Sequence, residues 1–301
     1  MRGRLLTLLT FTLATAPAAG ADPSLVERTF LERTAIAAAD AACNLFSEGE
    51  RLALRSGLYQ AEGELLRADY TPQKLENLTA EVRSHARSLG CDHPAVLEVA
   101  ATVRTSYRQF ARTNYLQYAA GSSAWDASRS EHDDWAVKQA DKTTGVIIGL
   151  RRGEDFEDLR FAVAIPADGR APSSVQMFVR DAKKMREPWL GPIFGAKTLA
   201  PAPRSISRPE WPAEKDEDED ASGNPFYVFY FSKTAIERLE LLDPREAVQV
   251  DLTPSPIDKD KAPVKVAFEV GDLRAAHAFA MIPKVSASAL AAAEPPPSGG
   301  H

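Results

Sequence analysis

Residues 71–90, TPQKLENLTAEVRSHARSLG, carry the clearest fold signal in this 301-residue chain. Thr71 supplies a capping hydroxyl and Pro72 fits the first helical position, so a helix is expected to begin here. Apolar residues then recur at helical spacing and form a single stripe: Leu75, Leu78, Val82 and Leu89. Gly90 stands where a left-handed C-terminal cap belongs. The segment predicts an amphipathic helix that packs against neighbouring helices.

The flanking segments have the same helical character. Residues 23–45 are rich in Ala, Leu, Glu and Arg and contain no internal Pro or Gly after the first position. Residues 50–70 continue this composition, with Gly57 and Gly63 as weak points. A fourth helix is expected to start near Pro94. Four amphipathic helices with short connections predict a small bundle.

The bundle region, residues 22–118, contains both cysteines of the chain, Cys43 and Cys91. In an oxidising compartment, which the N-terminal residues described below indicate, an even pair of cysteines is most simply one disulfide bond. Two buried thiols or a redox pair are the alternatives, but redox pairs usually follow the Cys-x-x-Cys spacing, which is absent here. We expect a structural disulfide from the end of the first helix to the start of the fourth.

Near residue 119 the sequence changes to short β-branched or aromatic runs separated by turn-forming residues. Six runs predict strands: 145–150, 159–165, 174–179, 226–231, 247–252 and 264–270. Three are followed by short helical patterns that open at Asp181, Ser232 and Asp272, which is either a degenerate strand–helix repeat or chance. The predicted class is α+β, with a disulfide-tied helical bundle followed by a β-rich, mostly antiparallel domain over residues 119–285 that carries short helices.

Two segments of the second region have a loop-like composition. Residues 201–225 contain five prolines and an acidic run, which predict an exposed loop. The acidic run fits the first half of a calcium-binding loop, but the closing position is Phe229 in a predicted strand, so no metal is expected. Residues 286–301 have the composition of a disordered tail.

The first 21 residues have the pattern of an export signal. Arg2 and Arg4 precede a short apolar run, and Ala19-Gly20-Ala21 is a small-residue cleavage pattern. The remaining chain would hold 34 basic and 42 acidic residues, a net charge of −8. That charge disfavours nucleic acid as a partner. No other segment is apolar enough to span a membrane, so a periplasmic or secreted location is expected.

No catalytic or cofactor motif is recognisable, and we expect no cofactor and assign no catalytic residue. The densest polar cluster is Glu131-His132-Asp133-Asp134, which lies close to Trp125-Asp126. Imidazole with carboxylates could bind a metal or orient a histidine base, while a solvated loop is the alternative interpretation.

Tryptophans in polar, loop-like surroundings are typical either of a core or of a binding face. We assign Trp125, Asp126, His132 and Trp189 as candidate ligand-binding residues. The sequence favours an exported, non-enzymatic binding or assembly module of the cell envelope, with an envelope protein or a glycan as partner. The alternative is a hydrolase or metal-dependent enzyme centred on His132. The oligomeric state is not indicated.

Overall fold

A computed structural model describes residues 23–121, 123–153, 159–167, 171–191, 200–219, 223–257 and 262–284. The predicted signal peptide, residues 1–21, and the predicted tail, residues 286–301, lie outside these ranges.

Four helices open the described chain: α1 (Pro23–Cys43), α2 (Glu48–Arg67), α3 (Pro72–Ser88) and α4 (Pro94–Phe110). The start of α3 is as predicted, because the Thr71 hydroxyl accepts a hydrogen bond from the backbone N–H of Lys74 at 3.1 Å. Its end differs from the prediction. Leu89 is extended and Gly90 does not adopt a left-handed conformation, since the carbonyl of Gly90 instead closes a turn with the N–H of His93.

The predicted disulfide is confirmed. Cys43 at the end of α1 is bonded to Cys91 in the turn before α4, with 5.5 Å between their Cα atoms. The bond therefore ties the first and fourth helices together across the α2–α3 hairpin.

Glycines in α2 mark places where polar side chains lie on the helix backbone. A Cβ atom at Gly63 would overlap the carboxylate of Asp272, and one at Gly57 would meet the guanidinium of Arg33. These two positions are therefore contact points with other elements, which explains why glycine is found within a long helix.

Eleven described strands and two short helices follow. They are β1 (Tyr115–Ala120), β2 (Ser123–Ser128), β3 (Trp135–Ala140), β4 (Ile147–Arg152), β5 (Leu159–Pro166), β6 (Ser174–Arg180), β7 (Ser207–Glu210), β8 (Pro212–Glu219), β9 (Pro225–Phe231), α5 (Lys233–Leu239), β10 (Ala247–Thr253), β11 (Val264–Glu269) and α6 (Leu273–Ala280). Every described pairing is antiparallel, in one sheet ordered β1-β2-β3-β4-β5-β9-β8 and a second ordered β11-β10-β6-β7. The predicted α+β class is confirmed.

One hydrophobic core joins the inner faces of both sheets to α5 and α6. Helix α6 packs on the inner face of β1–β3 and, on its other side, on α2. The small side chains of Ala120 and Ala275 are completely buried in this core. Strand β1 begins at Tyr115, so residues 115–118 of the predicted helical region belong to the sheet, and helices and sheet share a packed interface.

The same interface contains buried polar contacts. Both guanidinium Nη atoms of Arg67 donate to the carboxylate of Asp272 at 2.8 Å, which links α2 to the start of α6. Arg129, which follows β2 and is also buried, donates to the carbonyls of Ala111 and Thr113 after α4 and of Ile282 and Pro283 after α6. Arg129 therefore holds three separate parts of the chain together.

Residues 201–225, predicted as an exposed loop, contain the whole of β7 and of β8. Strand β8 pairs with β9 at one edge of the seven-stranded sheet, and nearly all of its side chains remain exposed. Five of its eight residues are acidic, which hid it from a propensity-based prediction but suits an exposed edge strand. Of the three short helical patterns, the one that opens at Asp181 forms only a turn, whereas α5 and α6 follow their strands.

Candidate functional site

A groove of about 860 Å³ lies on the outer face of the seven-stranded sheet, opposite the core. Strand alternation brings polar side chains onto this face. Gln117 of β1 is paired with Asp126 of β2, which is in turn paired with Lys138 of β3, so the three lie side by side across the sheet. The Nε2 atom of Gln117 donates to a carboxylate oxygen of Asp126 at 2.8 Å.

Aromatic rings border these polar groups. Tyr115 at the edge of the sheet is 61% exposed, while Trp135 and Phe226 are half-buried. Trp135 and Phe226 pack on a second, smaller apolar cluster beneath the groove, formed by β5 and β9. A register shift between Trp135 and Val137 allows both Trp135 to face outward and Val137 to face the core.

Arg151 of β4 lies beside the groove and links strands that are distant in the sheet order. Its guanidinium forms an ion pair with Asp218 of β8, three strands away. The same guanidinium donates to the Tyr230 hydroxyl at 2.8 Å and lies 3.6 Å from the carboxylate of Asp134, which lines the groove. Arg151 therefore supports the wall of the groove.

Electrostatics stabilise this wall. Partial burial of Asp218 opposes ionisation, but hydrogen bonds from Arg151 and from the backbone of Glu219 outweigh it, so the pKa of Asp218 lies below its ordinary value. The carboxyl is therefore ionised at neutral pH and keeps Arg151 paired.

The predicted polar cluster lies at the rim of the same groove. His132, Asp133 and Asp134 all line it, together with Asp126. The Asp133 carboxylate accepts from the Ser128 hydroxyl, and Asp126 accepts from Gln117. His132 is exposed, and across the described ranges its imidazole is not hydrogen-bonded to a carboxylate. Within those ranges no group of three His, Cys, Asp or Glu residues is placed to hold a metal ion.

The two predicted tryptophans lie elsewhere. Trp125 is 2% exposed in the main core, where its indole N–H donates to the carbonyl of Val270 at 2.8 Å. Trp125 therefore lies in the main core and outside the groove lining. Trp189 is half-buried beside the four-stranded sheet, and its backbone N–H donates to the carboxylate of Glu246. Of the four candidate ligand-binding residues, the structure brings only Asp126 and His132 together in the groove.

Sequence reasoning missed Tyr115, Lys138, Phe226 and Arg151. Tyr115 was assigned to the helical region, residues 22–118, and β1 and β3 were not predicted as strands. The signal that could have found Lys138 is the alternation of WAVKQA, in which Val137 and Gln139 are buried and Lys138 is exposed.

A second, small cavity of about 60 Å³ lies between α2, α4 and β1. This volume holds about two ordered waters and is too small for a larger ligand. The groove on the outer sheet face is therefore the stronger candidate site.

No protein-family model, curated protein or solved structure matches this chain. None of the helices in the described part of the chain is long and apolar enough to cross a membrane.

Proposed function

We propose that this protein is an exported, non-enzymatic binding module of the cell envelope, and that the groove on the outer face of the seven-stranded sheet is its binding face. The observation that carries the proposal is the lining of that groove. Tyr115, Trp135 and Phe226 offer ring surfaces beside the polar row of Gln117, Asp126 and Lys138. Concave sites that combine apolar rings with a few convergent polar groups are typical of ligand binding.

Export is supported by the disulfide bond together with the N-terminal sequence pattern. The Cys43–Cys91 bond closes a loop of 48 residues, and such structural disulfides persist in oxidising compartments. The signal-like residues 1–21 indicate the same compartment.

The enzyme alternative centred on His132 has weaker support. A histidine base is normally oriented by a hydrogen bond on its second ring nitrogen, and within the described residues the neighbouring carboxylates are bonded to Ser128 and Gln117 instead. The groove therefore has the composition of a binding face without an oriented general base.

The test is capture from the native envelope by the immobilised protein lacking residues 1–21, with bound protein and bound carbohydrate quantified separately. Tyr115→Ala and Asp126→Asn are expected to reduce capture strongly, because both side chains are exposed in the groove. Trp211→Phe is the matched control, since Trp211 is 57% exposed but lies outside the groove lining.

Equal capture by the wild type and both groove variants would refute the groove as a binding face. If the wild type instead converts bound material, and His132→Asn retains capture but loses that turnover, the enzyme alternative replaces the proposal.

A further inference from the structure

We infer that the ligand of the groove is a linear oligosaccharide made of neutral or amino-substituted sugars. This inference rests on the proposed function and specifies the chemistry of the ligand. It follows from four properties of the groove. These are the hydrogen bonding of its backbone, the aromatic rings next to planar polar groups, its length across the sheet, and its charge.

The floor of the groove is the face of a sheet whose strands are paired on both sides from β2 to β9. Most backbone N–H and C=O groups in these strands already bond within the ladder and are not offered to a ligand, although β2 and β3 pair only at Asp126–Lys138 and Ala127–Val137. An extended peptide that binds by strand addition needs an open edge. A ligand on this floor must be held by side chains.

The side chains present are those that complement sugar rings. Tyr115 and Trp135 provide flat apolar surfaces for the C–H face of a ring. Gln117 and Asp126 are planar groups, already hydrogen-bonded to each other, that present further acceptor and donor positions to adjacent hydroxyls. Ring faces beside such groups distinguish a hydroxyl-rich ligand from a purely apolar one.

The shape suits a chain and not a single compact molecule. The lining residues come from six strands, β1 to β5 and β9. Five strand spacings across a flat sheet amount to about 24 Å. A ligand that uses both Tyr115 at one side and Phe226 at the other must therefore be several units long.

The charge of the groove disfavours anionic sugars. Its lining holds three carboxylates, Asp126, Asp133 and Asp134, and the ammonium group of Lys138. Arg151 and Arg152 lie beside the lining, and with Asp218 included the four carboxylates outnumber the three cationic groups. The whole chain is also acidic, with a net charge of −6. Neutral or cationic units are therefore favoured over uronic acids or sulfated sugars.

The experiment measures binding of four tetrasaccharides to the full disulfide-bonded protein by titration calorimetry and tryptophan fluorescence. The probes are built from N-acetylglucosamine, glucosamine, glucose and galacturonic acid. At least one of the first three is expected to bind and to alter the emission of the half-buried Trp135, with galacturonic acid about tenfold or more weaker. Tyr115→Ala and Asp126→Asn should each weaken binding about tenfold, whereas Trp211→Phe should not change it.

The source of the sugar is separated by two further samples, purified cell-wall glycan and a soluble extracellular polysaccharide of the same sugar class. Preferential binding to one of them assigns the source. If no tetrasaccharide or polysaccharide binds while the groove variants still lose capture of an envelope protein, the sugar inference fails and the binding module remains. If neither capture nor sugar binding depends on the groove, both proposals fail. Equal affinity for galacturonic acid also overturns the inference.

Discussion

Single side chains hold the helical layer to the sheet, and the Arg67–Asp272 pair is the most informative of them. Asp272 is 2% exposed, and its neighbour Gly63 leaves room for the carboxylate on the surface of α2. Burial raises the pKa of Asp272 above its ordinary value, while Arg67 acts in the opposite direction. A buried carboxylate in this position depends on its partner, because an unpaired buried charge is costly.

Arg67→Met is expected to destabilise the protein by about 3–5 kcal/mol at neutral pH, since it leaves the Asp272 carboxylate without its partner. Removing Arg67 raises the pKa of Asp272 further. A raised carboxyl pKa contributes stability that is present below the unfolded value and is lost as the pH rises through the folded value. The loss of stability caused by the substitution should therefore shrink as the pH is lowered.

Chemical denaturation of wild type and variant at several pH values measures this dependence. Arg28→Met is the control, because Arg28 forms only an exposed pair with Glu32 at 3.8 Å, and its loss should matter by no more than about 0.5 kcal/mol. A destabilisation by Arg67→Met that is constant with pH would contradict an ionised Asp272 as its cause.

Trp125→Ala should cost about 3–5 kcal/mol, because it empties part of the main core and removes the hydrogen bond to Val270. Trp211→Ala, at a 57% exposed position, should change stability by no more than about 0.5 kcal/mol. Thermal unfolding of both variants is the measurement. A melting temperature unaffected by Trp125→Ala would return this residue to the list of surface candidates.

The contrast between Trp125 and Trp135 shows what sequence reasoning could and could not supply at this scale. Both stand in polar surroundings close to the acidic cluster, but one is in the core and the other borders the groove. Their faces depend on the register of β2 and on the shift between Trp135 and Val137. Neither can be read from composition. Asp126 and His132 were found because carboxylate and imidazole clusters are visible in the sequence.

At the scale of elements, the residues of helix α2 are determined by the side chains that pack on its surface. Gly57 and Gly63 lower its intrinsic helix propensity, yet they admit Arg33 and the Asp272 carboxylate to its surface. Interactions with other elements therefore decide the composition of this helix, and the sequence alone recorded the glycines only as weak points.

Gly63→Ala should destabilise the protein by about 1–3 kcal/mol, although alanine is the better helix former by about 1 kcal/mol. The added Cβ would overlap the Asp272 carboxylate and force the Arg67–Asp272 pair apart. Gly90→Ala provides the control, since nothing lies within 4 Å of a Cβ there and the backbone is not left-handed. Denaturant midpoints compare the two, and a more stable Gly63→Ala variant would show that the pair moves aside without cost.

Strands were predictable where they consist of β-branched or aromatic residues, as in β5, β9 and β10. Strands β1 and β2 were missed because they are rich in alanine, which permits the close approach of α6. At Gly271, before α6, an added Cβ would meet Ala120 of β1. Strand β8 was missed because an exposed edge strand favours charge over β propensity. The alanines of β1 and β2 are explained by the packing of α6, which lies far away in sequence. The acidic residues of β8 are explained by its position at the edge of the sheet.

For the whole molecule, the helices and the sheets are expected to unfold as one unit. Helix α2 packs on α6, α6 packs on β1–β3, and Arg129 binds carbonyls from two other parts of the chain, after α4 and after α6. A helical bundle that folded alone would have to expose the face of α2 that now covers α6. The shared interface makes that separation unfavourable.

Replacement of both cysteines, Cys43→Ser with Cys91→Ser, should therefore lower the stability of the whole protein and not of the helices alone. For a loop of 48 residues the chain-entropy model gives a loss of about 4 kcal/mol. Circular dichroism of the helices and fluorescence of the tryptophans should report one coincident transition in wild type and variant. Loss of helical signal before the tryptophan signal would instead identify an independent bundle.

The carbonyls that Arg129 binds have a consequence for the order of events during synthesis. Residues 282 and 283 are among its partners, and they lie more than a hundred positions further along the chain. The Ser56 hydroxyl likewise donates to the carbonyl of Ala275, 219 positions further along the chain. Helix α6 must therefore be synthesised before the early helices and strands β1–β3 can form the core that they share with it. Folding dominated by such distant contacts is slow, so we expect the growing polypeptide to remain open until late in its synthesis, which is compatible with the proposed export.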